Sequence, residues 1–383
     1  MTGRTQGKTI VHAAAVLATV FAAHTSAGQP VGVSPDEANA ARLPALGGEG
    51  FRIHGTDHFS IASDGEGSVA ASVGERLEAT YRAVARFCDE LRLPVHPPSQ
   101  PLPVLLFNRN ADFERYARTV GFADASAPGF YHAGSNIAAF CNVLDLPKVR
   151  EISRRIEQAQ SQRDPPTPPE RITEWQSQRD ALVEVFNRLV VQHEAAHQIL
   201  FGLGVLLRDA DNPEWLMEGL ACQFEVLPRE VASDRPVVNQ MRLADFRDAV
   251  GVPPRAAVVD EQSLRNSLSA GRLLPLADLV GGAEIVTSDA SKTVFRYAQA
   301  WALVDYLCRT RADSFVAYLR LIAARPRNAP ADKQHRTDEF ALAFGPLNES
   351  FEHAWVGYVL KLPFDPVLEG NGVLRRLPGR VNH

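Results

Sequence analysis

His193-Glu-Ala-Ala-His197 is the segment of this sequence best equipped for chemistry. In an α-helix, histidines four positions apart stand one turn apart on the same face, so both imidazoles can reach one metal ion. Glu194 projects about 100° further round the helix, beside such an ion and not onto it. From there a carboxylate can take a proton from water, as metal-assisted hydrolysis requires. Phe186, Leu189, Val190 and Leu200 recur on the face of the two histidines, so that face should point inward. Gly202 and Gly204 supply the stop signals.

Two histidines leave a metal short of ligands, and the next helical stretch offers a third. Asn212 can cap it, Pro213 suits its first turn, and Glu214-Trp-Leu-Met-Glu218-Gly-Leu-Ala221 follows. Glu214 and Glu218 are one turn apart, so only one need face the ion. Gly219 lets two helix backbones come close, which favours Glu218. The residues between His197 and Glu218 are enough to end one helix, turn and start another. The expected site is therefore one Zn²⁺ held by His193, His197 and Glu218.

The elements that must position these residues can be sketched from periodicity. Phe51, Ile53, Phe59 and Ile61 alternate as a half-buried hairpin would, and a helical pattern runs from about Ser68 to Leu91. Pro103–Phe107 reads as a short buried strand, and Asn108 or Asn110 can cap a helix through Thr119. Gly129–Tyr131 and Ile137–Cys141 read as two short strands around turn residues. Residues 51–146 thus form an α+β lobe with a small mixed sheet. Residues 147–180, charged and broken by Asp164-Pro-Pro-Thr-Pro-Pro169, read as a surface insertion or a lever between two lobes. Residues 181–361 are mostly helical, with Pro228–Asp289 as irregular pieces, and 362–383 look like a tail.

The chain has 383 residues, enough for one large core or two moderate ones. Its 40 basic residues against 45 acidic ones give a net charge of −5, without the basic excess that nucleic-acid binding needs. Residues 1–27 read as an export signal: Arg4 and Lys8, then an apolar Ile10–Ala23, then Thr25-Ser-Ala27. Residues 28–50 read as a linker. An exported product would begin near Gly28, which N-terminal sequencing would reveal. No later stretch is apolar for long enough to span a membrane. Cys88, Cys141, Cys222 and Cys308 allow three disulfide pairings or equally four buried thiols, and none lies in a C-x-x-C pair. No G-x-S-x-G occurs, so a serine-nucleophile enzyme is unsupported.

His193-Glu-Ala-Ala-His197 together with Trp215-Leu-Met-Glu218-Gly-Leu-Ala221 resembles the gluzincin branch of zinc metallopeptidases, within the peptidase MA-like superfamily. Within that branch, the segment is similar to an uncharacterised bacterial family carrying "W-L-x-E-G-L-A". The order strand, long helix, strand, helix and hairpin before the zinc helix also resembles compact gluzincins. Downstream, Tyr297-Ala-Gln-Ala-Trp301 resembles their "Y-A-x-S-W" helix, with Ala300 in place of the serine. The resemblance covers roughly 51–360. It implies zinc on His193, His197 and Glu218, Glu194 as general base, a peptide substrate, and Tyr297 as a hydroxyl donor to the tetrahedral intermediate. An ordinary apolar stripe accounts for Tyr297 equally well. The strand at Gly129–Tyr131 could pair with an extended substrate, or serve only as a hairpin. A fold of this kind could also be retired from catalysis and act as a binding or structural protein.

Overall fold

The computed structural model describes residues 42–122, 127–161, 167–226, 237–252, 261–326 and 329–364. The expected export signal and most of the tail lie outside them. The expected linker is described only from residue 42, where it contains a short helix, α1 (Leu43–Gly47).

The fold is α+β, with a five-stranded mixed sheet in the N-terminal region and a mostly helical remainder. The chain runs β1 (Arg52–Gly55), β2 (Phe59–Ser63), α2 (Gly67–Glu90), β3 (Leu102–Phe107), α3 (Asn110–Thr119), β4 (Gly129–His132) and β5 (Ile137–Cys141). Next come α4 (Pro147–Ser161), α5 (Pro169–Phe186), a π-helical segment Asn187–Gln192, α6 (His193–Gly202), α7 (Glu214–Ala221) and a 3₁₀ turn Cys222–Phe224. The last elements are α8 (Gln240–Val250), α9 (Glu261–Ser269), α10 (Leu276–Val280), α11 (Ala290–Thr310), α12 (Ala312–Ala323), α13 (Lys333–Phe344) and α14 (Glu349–Lys361). Two compact units are distinguishable. One takes in the described residues up to Glu78 and those of Pro103–Glu194; the other takes in Ala79–Leu102 and the described residues of Ala195–Pro366.

In the first unit the strand order is β1-β2-β3-β5-β4, with β1/β2 and β4/β5 antiparallel and β3/β5 parallel. β3 and β5 are interior strands, and every residue of both is buried, as continuous apolar runs require. β1 is an edge among the described residues, and its Ile53 is 42% exposed, so the expected inward alternation fails there. α3 begins without a side-chain cap; the Asn110 N–H donates instead to the Asp145 carboxylate (2.8 Å). The stretch expected as a charged insertion is mainly α4 and α5, with Val149, Ile152 and Ile156 of α4 buried.

In the second unit α11 is the axis, buried along most of its length and started by Asp289, whose carboxylate accepts from the Ser291 and Lys292 amides. α7 lies against it. A Cβ on Gly219 would sit 2.5 Å from the Ala300 carbonyl oxygen and 2.6 Å from Val304 Cγ2. The close approach expected of Gly219 is therefore made with α11, and only a residue without a side chain permits it. Trp215 of α7, fully buried, stacks on Tyr318, which also meets Phe340 and Phe344. The expected Asn212 cap is absent: α7 begins after Pro213, and the Asn212 amide donates back to the Leu207 and Ala210 carbonyls. Part of the stretch expected as irregular pieces, Pro228–Asp289, lies outside the described residues; its described residues include the helices α8, α9 and α10.

All four cysteines are buried thiols. Burial pushes those of Cys88 and Cys141 up to about 12 and that of Cys308 well above its ordinary value. These three stay protonated at neutral pH and are poor nucleophiles. Among the described residues no helix is long and apolar enough to cross a membrane.

Candidate metal centre

The motif helix does not continue α5 smoothly. Six residues, Asn187–Gln192, form a π-helical segment between α5 and α6, and His193 is the first residue of α6. A π turn holds one more residue than an α turn, so it rotates everything after it relative to an uninterrupted helix. From Leu189 to Phe201 every residue is buried.

His193, His197 and Glu218 each present a ligand atom, all lying within 4.8 Å of one another. They are 1%, 2% and 0% exposed. His197 Nε2 lies 3.6 Å from Glu218 Oε1. Two donors at zinc bond lengths of about 2.0–2.2 Å on a tetrahedral ion stand roughly 3.3–3.5 Å apart, so this spacing fits one ion. Two imidazoles and a carboxylate also form a donor set that zinc favours. Glu214, one turn earlier on α7, is half-buried and does not belong to the group. Glu218→Gln should therefore weaken zinc binding by more than the roughly 10–100-fold that loss of an outer partner costs, with Glu214→Gln near the parent. Equal zinc content by metal analysis in both variants would overturn the assignment.

Glu194 is 5% exposed, and its Oε2 accepts the backbone N–H of Tyr131 at 2.9 Å. The reason lies in the register of β4. Cys141 N–H donates to the Pro128 carbonyl, and Gly129↔Phe140 and Tyr131↔Ala138 face each other across the ladder. Alternation therefore turns the N–H and C=O of Gly129 and Tyr131 away from β5. Among the described residues β4 is a sheet edge. Gly129 is pressed against the π segment, since a Cβ there would lie 2.5 Å from Val190 Cγ1. The Tyr131 hydroxyl donates to Asn136 Oδ1 (3.0 Å) in the turn that follows. Sequence reasoning missed the Tyr131 amide, because a backbone donor has no side-chain signature.

A second feature absent from the sequence reading is a buried ion pair. Arg242 (1% exposed) donates from Nε to Glu225 Oε2 (2.7 Å) and from Nη2 to Oε1 (2.8 Å), while Asn239 Nδ2 donates to the same carboxylate (3.2 Å). Burial lowers the pKa of the Arg242 guanidinium, but Cys222 and Glu225 outweigh that and leave it raised, so it stays charged. Its guanidinium carbon lies 5.2 Å from the centre of the Tyr297 ring, within cation–π range. Tyr297 is fully buried on α11, one turn from Trp301. His193, Cys222 and Glu225 make a second group of candidate metal-binding atoms, but the Glu225 carboxylate is already engaged by Arg242 and Asn239. The third, Glu261, Glu349 and His353, is exposed. Among the described residues, the group containing both motif histidines is the one suited to an ion.

Residues 188–329 match a family described as "Protein of unknown function (DUF1570)". The chain is similar to that family over this segment, which includes His193, Glu194, His197, Glu218 and Tyr297 but neither Arg76 nor β4. No curated protein matches the chain.

Proposed function

We propose that this chain is a zinc-dependent hydrolase of peptide bonds, with zinc on His193, His197 and Glu218 and with Glu194 as general base. The observation that carries the reading is the convergence of three buried donors beside a carboxylate anchored to an edge strand. The resemblance to gluzincins supports it further. The chemistry the ion would supply is Lewis acidity, which lowers the pKa of water and polarises a carbonyl.

The chain's own residues do the rest. Glu194 accepts a proton from water as its oxygen bonds to the scissile carbonyl carbon. It returns that proton to the amide nitrogen as the C–N bond breaks, leaving a carboxylic acid and an amine. The Tyr131 amide fixes one oxygen of that carboxylate. An extended peptide lies along the side of β4 that faces away from β5, within reach of the Gly129 backbone. The Tyr297 hydroxyl donates a hydrogen bond to the carbonyl oxygen in this scheme, a role carried over from the resemblance. The test is direct: the purified full chain should hold one zinc per molecule and cleave members of a broad peptide library. Chelation should abolish that cleavage and added zinc restore it. A zinc-loaded chain that cleaves nothing would sink the hydrolase and leave a retired relative of the fold.

A further inference from the structure

Arg76, on α2, reaches a stretch of chain more than a hundred residues further on. Its Nη1 and Nη2 donate to the two carboxylate oxygens of Glu184 (3.2 and 2.9 Å), and Nη1 also donates to Gln192 Oε1 (2.7 Å). Glu184 lies in the last turn of α5, and Gln192 is the last residue of the π segment, directly before His193. One planar guanidinium thus ties the helical turn before the six-residue π-helical stretch to the last residue of that stretch. Its side chain is 18% exposed, that of Glu184 27%, and Gln192 is 5% exposed as a residue, so solvent weakens the grip only in part. The π form is rare and held mainly where surrounding structure supports it. Here the supports are Arg76, tying the turn before it to its last residue, and Gly129 of β4 against Val190 in its middle. Were the segment to relax to α geometry, His193 and Glu194 would leave it at a different rotation. The Tyr131–Glu194 bond and the convergence of the motif histidines would be lost together.

We infer that Arg76 is a positioning residue of the candidate metal centre: by bridging Glu184 and Gln192 across the π-helical segment, it sets the rotation at which His193 and Glu194 enter α6. The consequence for metal binding rests on the function proposed above; the clamp itself does not. Arg76→Met keeps the aliphatic stem and removes the fork, and Arg76→Lys keeps the charge but cannot span both partners. Leu77→Ala, on the same helix and fully buried, serves as a control for general loss of stability.

The experiment uses the full chain in two arms. In the metal-free protein, amide hydrogen exchange in Arg76→Met should rise about tenfold or more over 187–194 and at Tyr131, while β3 stays protected. Leu77→Ala should show no such focus. In the second arm Co²⁺ replaces zinc. The parent should bind one equivalent, Arg76→Met should bind about tenfold or more weakly with an altered visible spectrum, and Arg76→Lys should fall between. Exchange over 187–194 in Arg76→Met that matches the parent, or follows the pattern of Leu77→Ala, would overturn the clamp. A parent that takes up no Co²⁺ would overturn the metal reading instead, and the exchange arm would still decide the role of Arg76.

Discussion

Glu194→Gln should hold its zinc and lose its turnover. Glutamine has nearly the size of glutamate, and its carbonyl oxygen can still accept the Tyr131 N–H that glutamate accepts at 2.9 Å. The side chain should therefore stay in place against β4, and His193 and His197, on the same helix, should be undisturbed. What is lost is the ability to take a proton. General-base removal typically costs roughly 10²–10⁴-fold, or about 3–5 kcal/mol of transition-state stabilisation. Metal content and peptide turnover must be measured on one sample. Full zinc with turnover lost supports the assignment, whereas turnover within a few-fold of the parent would mean that the base lies elsewhere.

Arg242→Met should be among the most destabilising single changes in the chain. The substitution fills much of the same space but leaves Glu225, itself 0% exposed, without its guanidinium. Breaking a buried ion pair from one side typically costs about 3–5 kcal/mol, since the remaining charge is stranded in a medium that cannot solvate it. Arg265→Ala provides the contrast. Its partner Glu261 and Arg265 itself have side chains 62% and 60% exposed, and such pairs contribute at most about 1 kcal/mol. Denaturant unfolding curves of the three proteins would separate the cases. An Arg242→Met chain as stable as Arg265→Ala would show that the buried pair contributes little.

The parts of the site that could be read from sequence are those encoded by spacing. Histidines four apart with apolar residues on the same face define a helix and bring two imidazoles to one side of it, and Gly219 marks a tight helix contact. That contact is nevertheless made with α11, a partner that local spacing cannot name. The strands were legible where apolar runs were short and bounded, as at 103–107 and 137–141. They were misleading at Ile53, because burial depends on the strand's place in the sheet. The π segment was invisible, since Asn187–Gln192 has the composition of an ordinary helix and owes its shape to Arg76 and Gly129. Arg242 on α8 reads as a surface charge until Glu225 is found opposite it. Asn212 looks like a cap, yet its amide is drawn back into the preceding loop.

The reach of Arg76 also bears on the order in which the chain acquires its shape. Its partners Glu184 and Gln192 lie 108 and 116 residues away, and Tyr131 and Glu194 are 63 apart. Helical turns close in about a microsecond or less, whereas contacts of such separation must wait for the intervening chain to be drawn together. The stretch 187–194 can thus become helical early, but its final rotation comes only with the distant pairings. During synthesis Arg76 and Tyr131 are made well before His193, so the frame can stand ready when the motif emerges. An isolated 188–329 segment, the part similar to the matched family, would carry the three candidate ligands without Arg76 or Tyr131.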